Sequence, residues 1–187
     1  MPGHFDIILI GPMGAGKSTV GTLLAHQLGL PQCSMDEQRW AYYIEIGYDE
    51  ALAKQKRETA GAWSVNQYWQ PFEAYAVERL LSDHKNCVID FGAGHSVYED
   101  PLLFQRVQQA LAPYPNVVLL LPSPDLEESL QILNERNKPM PDDILKMNEH
   151  FVQHRSNYEL AKFTVYTKAK TPQETCDEIL GLIQLPS

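Results

Sequence analysis

Gly11-Pro12-Met13-Gly14-Ala15-Gly16-Lys17-Ser18 fits the pattern G-x-x-x-x-G-K-[ST], and it follows directly on the apolar run Phe5-Asp6-Ile7-Ile8-Leu9-Ile10. No other feature constrains the fold as tightly. A short buried strand feeding a glycine loop, and a helix opening at Ser18-Thr19-Val20-Gly21, turn the loop's N–H groups inward at the positive end of a helix dipole. The result is a cradle for phosphate anions. Its amides take α- and β-phosphates, Lys17 reaches the β- and γ-phosphates, and the Ser18 hydroxyl is placed for Mg²⁺. Gly11, Met13, Gly14, Ala15, Gly16, Lys17, Ser18 and Thr19 are thus the candidate nucleotide-binding set, with ATP and Mg²⁺ as expected cofactors.

The alternation of short apolar runs with amphipathic segments continues along the chain. After a helix from Lys17 to about Leu28, an extended piece at Gln32-Cys33-Ser34 leads to a helix from Asp36 through Ile46. Periodicity weakens from Gly47 to Gln70, where Lys54, Lys56, Arg57, Trp63, Tyr68 and Trp69 sit among polar residues, and a substrate cover is expected there. Phe72–Leu81 has helical spacing, and Cys87-Val88-Ile89-Asp90-Phe91 reads as a strand ending in the turn Gly92-Ala93-Gly94. A helix over Pro101–Ala110, a strand over Val117–Leu121 and a helix capped by Ser123 with Pro124 as its first residue follow. Asn137-Lys138-Pro139-Met140-Pro141 breaks that helix, and residues 137–147 are read as a short lid ahead of an amphipathic segment from Asp142 to Leu160. Phe163-Thr164-Val165-Tyr166 is the last strand, and Thr171-Pro172-Gln173-Glu174 is a capping box opening the last helix.

Five strands alternating with helices predict a three-layer α/β/α sandwich around a parallel sheet, with ligands beyond the carboxyl ends of the strands. At 187 residues, a single domain spanning 1–187 is expected. Twenty-four acidic against 15 basic residues give a net charge of −9 without a basic block, which disfavours long nucleic acid and anionic membranes as partners. Cys33, Cys87 and Cys176 are odd in number and lack a C-x-x-C pair, so neither a disulfide framework nor a structural zinc site is expected. With no signal-like start and no apolar run near the roughly 20 residues of a membrane helix, the expected setting is the cytoplasm, as a monomer or weak dimer.

The chain resembles the shikimate kinase branch of the nucleoside monophosphate kinase-like P-loop proteins. The likeness is strongest over Ile10–Gly21 with Leu24-Ala25-His26-Gln27-Leu28, and weaker at Gly92-Ala93-Gly94, at Arg136–Met140 and at Arg155 with Tyr158. It implies an NMP kinase-like fold with a lid and an ATP-dependent kinase acting on a small polar hydroxyl compound. It also implies departures at the acceptor site. The family's paired acids after the second strand align with Ser34-Met35-Asp36, which leaves Asp36 as the acceptor-facing acid and a hydroxyl at the metal position. The family's substrate arginine motif falls near Gln70-Pro71-Phe72-Glu73, where no arginine stands, and its triple glycine is altered to Gly92-Ala93-Gly94-His95. A changed acceptor specificity is therefore expected.

Catalytic candidates are Lys17, Asp36, Arg136 and Lys138; metal candidates are Ser18 and Asp90, the latter ending a hydrophobic strand as a Walker B acid does. Acceptor candidates are Asp36, Gly92, Ala93, Gly94, His95 and Arg155. Asp36 has a competing role as the cap of the helix that follows it, and Arg155 one in an ordinary salt bridge. At the level of function the alternatives are a nucleoside or nucleotide kinase, whose base would stack on Trp63 or Trp69 if these wall a pocket rather than anchor their segment, and a nucleotide-dependent switch without efficient transfer.

Overall fold

A computed structural model describes residues 5–183. Its centre is the run that precedes the glycine loop. β1 (Ile7–Ile10) is 0% exposed at all four residues, because a strand covered by helices on both faces must be apolar on both. It lies between β3 (Val88–Asp90) and β4 (Val117–Leu121), with β2 (Gln32–Ser34) and β5 (Phe163–Tyr166) outermost, in the order β2-β3-β1-β4-β5. Every pairing is parallel. The register sets Leu9 beside Asp90 and Ser34 beside Asp90, so three strands end at one edge.

α1 (Lys17–Leu28) packs against α8 (Pro172–Leu182), while α3 (Glu50–Asp83) packs against α2 (Met35–Glu45) and α4 (Pro101–Leu111). Right-handed crossovers on a sheet whose order reverses on either side of β1 require helices on both faces. The expected α/β/α layering is what the chain adopts. α8 opens on the expected capping box: Thr171 Oγ1 accepts from Glu174 N at 3.2 Å and Glu174 Oε2 accepts from Thr171 N at 2.7 Å. Among the described residues no helix is long and apolar enough to cross a membrane.

Three segments differ from the sequence reading. The weakly periodic stretch from Gly47 to Gln70 is mostly helical, continuous with Phe72–Leu81 in the 34-residue α3, and bent where Gly61 takes φ 77° and ψ −172°. Its aromatic residues anchor it: Trp69 Nε1 donates to Tyr48 Oη at 3.2 Å, Tyr68 Oη accepts from Asp49 N at 3.0 Å, and Trp63 meets His150 edge-on at 4.8 Å. Ser123 does not cap α5 (Leu126–Arg136). Asp125 does, accepting from Glu128 N at 2.8 Å, while the Ser123 hydroxyl accepts from Asp125 N at 3.1 Å and thereby shapes the approach to the helix. The segment Asp142–Leu160 is two helices, α6 (Asp142–Gln153) and α7 (Arg155–Leu160), divided at His154, whose Nδ1 accepts from Ser156 N at 3.2 Å and restarts the chain.

Candidate active site

The glycine loop joins β1 to α1 and is tied from outside by two asparagines. Asn148 Oδ1 accepts from Met13 N at 2.8 Å, and Asn148 Nδ2 and Asn137 Nδ2 donate to Met13 O at 3.1 and 3.0 Å. Asn148 is 1% exposed on α6, so that helix sets the position of the loop. Gly14 is required at this contact: its φ is +79°, and a Cβ there would meet Asn137 Nδ2 at 2.9 Å. Arg136 NH1 donates to Gly14 O at 3.1 Å, while Lys138 is exposed on the connection from α5 to α6. A cavity of about 270 Å³ opens beside the loop between Gly14–Gly16, Arg136, Thr167, Lys170 and Pro172.

Lys17 is buried, and its Nζ donates to Gly11 O and Pro12 O at 2.8 Å each. Burial lowers its pKa to about 8, although the charges of Asp36 and Asp90 oppose the shift. One ammonium thus faces both acids. Asp90, 2% exposed, is held by donors from α1 and β2: Ser18 Oγ at 2.8 Å and Ser34 Oγ at 3.2 Å to Oδ2, and Gln32 Nε2 at 2.9 Å to Oδ1. A carboxylate with two hydroxyls at the foot of a phosphate loop is an oxygen-donor set of the kind that suits Mg²⁺.

Across the cleft, Asp36 lies in the first turn of α2, one residue inside it. The N-cap position belongs to Ser34, so capping does not account for this aspartate. Its carboxylate stands over the turn after β3, since a methyl placed on Gly92 would lie 2.7 Å from Asp36 Oδ1 and 2.8 Å from His95 Nδ1. The turn, Ala93–Ser96, is a single 3-10 turn. His95 is 1% exposed, its Nε2 pairs with Tyr43 Oη at 3.2 Å, and burial with the nearby Arg39 charge lowers its pKa to about 3. It is a neutral imidazole.

Glu73 of α3 comes so close to the same turn that a Cβ on Gly94 would collide with its carboxyl group, which any side chain at position 94 would have to displace. Burial raises the pKa of Glu73 to about 8 against the attraction of Arg39, so the group is an uncharged acid at neutral pH. Arg39, one turn along α2, is 3.5 Å from Asp36 and lies over the rings of Trp40 and Trp69 at 4.5 and 5.6 Å.

The sequence model of the shikimate kinase family matches residues 13–184, across both halves of this cleft. The chain belongs to the shikimate kinase family. It is similar to shikimate kinases of Persephonella marina (29% identical, covering 96% of this chain and 99% of that one) and Streptomyces coelicolor (30%, covering 96% and 95%). Among solved structures it is similar to the Aquifex aeolicus shikimate kinase at 27% identity and TM-score 0.56, covering 94% of each chain. The Acinetobacter baumannii shikimate kinase in complex with shikimate shares the fold at 24% identity and TM-score 0.63, covering 95% and 91%. This shikimate kinase-family protein is an ATP-dependent phosphotransferase that acts on a hydroxyl group of a small molecule.

The structure gathers Lys17, Ser18, Asp90, Asp36 and the 92–95 turn at one sheet edge. Arg155 is elsewhere: its side chain is 76% exposed and 3.8 Å from Glu159 in the next turn, an ordinary surface pair. Lys54 pairs with Glu58 at 4.0 Å on the surface, and Arg57 bonds Asp143 at 2.6 and 3.3 Å, which ties the bend of α3 to α6. Glu99, His150 and His154 gather within 4.8 Å, with His150 Nε2 2.6 Å from Glu99 Oε1. Because His154 Nδ1 accepts a backbone N–H, its Nε2 carries the proton and faces the Glu99 carboxylate at 3.5 Å, and burial lowers its pKa, so it stands there as a neutral imidazole. Sequence reasoning missed Asn137, Asn148 and Arg39, and read Glu73 only as a missing arginine. The spacing Asp36-x-x-Arg39 puts both side chains on one helix face, and that signal could have found the arginine.

Proposed function

We propose that the protein transfers the γ-phosphoryl group of ATP to a hydroxyl of a small polar acceptor bound between α2, α3 and the 92–95 turn, with an acceptor preference distinct from shikimate. The reading is supported by the convergence at one sheet edge of the buried Lys17 of the glycine loop, Asp90 bonded to Ser18, and Asp36 over the turn after β3. The loop amides and Lys17 hold the phosphates, and the cavity bounded by Arg136, Thr167 and Lys170 receives the rest of the nucleotide. Ser18 and Asp90, with Ser34 in support, would hold Mg²⁺, which neutralises charge on the β- and γ-phosphates. Asp36 orients the acceptor O–H and takes its proton as the oxygen attacks phosphorus. A new O–P bond forms, the bond from the γ-phosphorus to the β-γ bridging oxygen breaks, and ADP leaves. Arg136 and Lys138 screen the migrating charge from the lid side. Arg155 reaches the acceptor only with a change in its present surface position.

Three free, buried thiols support a reducing compartment such as the cytoplasm. The changed preference rests on the site's own chemistry: a neutral, buried Glu73 beside Gln70, a methyl at Ala93 and an imidazole at His95. The test is label transfer from γ-labelled ATP to a panel of small hydroxylated metabolites, shikimate among them. Acceptor-stimulated transfer supports the reading; ATP binding without transfer to any member overturns it.

A further inference from the structure

Four buried side-chain atoms without a hydrogen-bond partner among the described residues, Arg39 Nε, Gln70 Nε2, Glu73 Oε2 and Ser96 Oγ, come from α2, α3 and the turn after β3, the elements around Asp36. Unpaired polar atoms are costly away from water, and a cluster of them around one cleft marks a place where a polar ligand completes the bonding. Gln70, Glu73, His95 and Ser96 are 4%, 2%, 1% and 0% exposed, so they are fixed in place by the core.

The charges there divide unevenly. Burial keeps both Glu73 and His95 neutral at neutral pH, which leaves Arg39 and Asp36 as the charged pair. They are 3.5 Å apart, with the Asp36 side chain 59% exposed and that of Arg39 22% exposed, a loose direct contact between one solvent-exposed partner and one mostly buried one. Asp36 is the group assigned to the acceptor's hydroxyl. The guanidinium, held flat by Trp40 and Trp69, therefore keeps most of its donors for something else. A planar fork of donors matches a carboxylate in two-bond geometry.

We propose that Arg39 determines acceptor specificity by binding a carboxylate on a hydroxylated acceptor, while Gln70 and Glu73 hydrogen-bond its uncharged hydroxyls. This deepens the proposed function and rests on it. It also explains how a pocket with no arginine on α3 at Gln70–Glu73 holds an anion: the cation comes from α2, on the face that carries Asp36.

The experiment uses matched pairs of hydroxylated ring acids and their methyl esters, shikimate and methyl shikimate included, with wild type, Arg39→Lys and Arg39→Met. Binding is read by the fluorescence of Trp40 and Trp69, which touch the guanidinium, and turnover by label transfer. Wild type should prefer at least one acid over its ester, and Arg39→Met should lose that preference, by about tenfold or more in Kd or KM. Arg39→Lys should keep part of it. ATP binding should be unchanged in both variants, which also reports that they fold. The proposal is overturned if wild type prefers no acid over its ester, or if the preference survives in Arg39→Met. Arg39-dependent acid preference without any transfer would sink the proposed function and leave this assignment standing; transfer without acid preference would do the reverse.

Discussion

The two halves of the cleft are built on different physical principles. On the nucleotide side, recognition runs through backbone amides and a short loop whose geometry is set by Gly14 and by the hold of Asn137 and Asn148 on Met13. On the proposed acceptor side the wall is instead made of side chains of α2, α3 and the 92–95 turn, several of them buried and neutral. A backbone cradle fits one ligand class, because every nucleoside triphosphate presents the same phosphates. A side-chain pocket is specific to its own ligand and changes with each substitution. The difference teaches why one fold can keep its donor and exchange its acceptor.

The contrast can be broken most severely at Lys17. Lys17→Ala removes the buried cation on which the charges of both acids act, and transfer should fall by about 10³-fold or more with the circular dichroism spectrum unchanged. A fall below tenfold would show that the loop amides alone carry the donor side. Asp36→Asn comes next, with an expected loss of about 10²–10³-fold in kcat and little change in the KM for ATP. Equal losses in both parameters would make Asp36 a structural residue rather than the acceptor's base.

Asn148→Ala separates loop position from loop chemistry. It deletes the bonds to both Met13 N and Met13 O, so ATP affinity should weaken by about tenfold while acceptor binding stays put. Titration of each ligand by calorimetry reads the two effects apart, and a change on the acceptor side alone would contradict the division.

Glu73→Gln has its smallest effect on rate and its clearest effect on stability. The folded protein keeps the Glu73 proton up to about pH 8, whereas an unfolded chain releases it near the ordinary value of 4.5, so stability is lost as pH rises between the two. His95 acts in the opposite sense, because its folded pKa of about 3 lies below the ordinary 6.5 and stability is lost as pH falls below 6.5. Arg39 and Asp36 of α2, Tyr43, and Tyr98 beyond the turn are the other charged or titratable groups around Glu73. From pH 6.5 to 8 Glu73 acts without His95. Thermal melts of wild type should decline over that window and those of Glu73→Gln should be flatter; parallel slopes would mean that Glu73 is ionised when buried.

Legibility followed the same division. The strand, loop and helix around Lys17 were readable because residues of one short segment make the cradle, and Asp90 was readable as the polar end of an apolar strand. Asn148 was not, since its bond to Met13 spans 135 residues and no local pattern marks it. The segment from Gly47 to Gln70 hid its helix because its outer face is polar and its aromatics point at α2, Tyr48 and α6 rather than repeating along one stripe. Ser123-Pro124 looked like a helix start, yet the Asp125 carboxylate won the cap, as aspartate often does. Arg39 was passed over because the family likeness points to α3 for a substrate cation, while this arginine lies on α2.

The most direct test of a shared donor side with a rebuilt acceptor side is to measure kcat/KM for shikimate against the best acceptor in the hydroxylated panel, with ATP saturating. The account predicts that another acceptor exceeds shikimate by about tenfold or more, the order of a single charge-assisted hydrogen bond. Shikimate as the best substrate, by a similar margin, would contradict it.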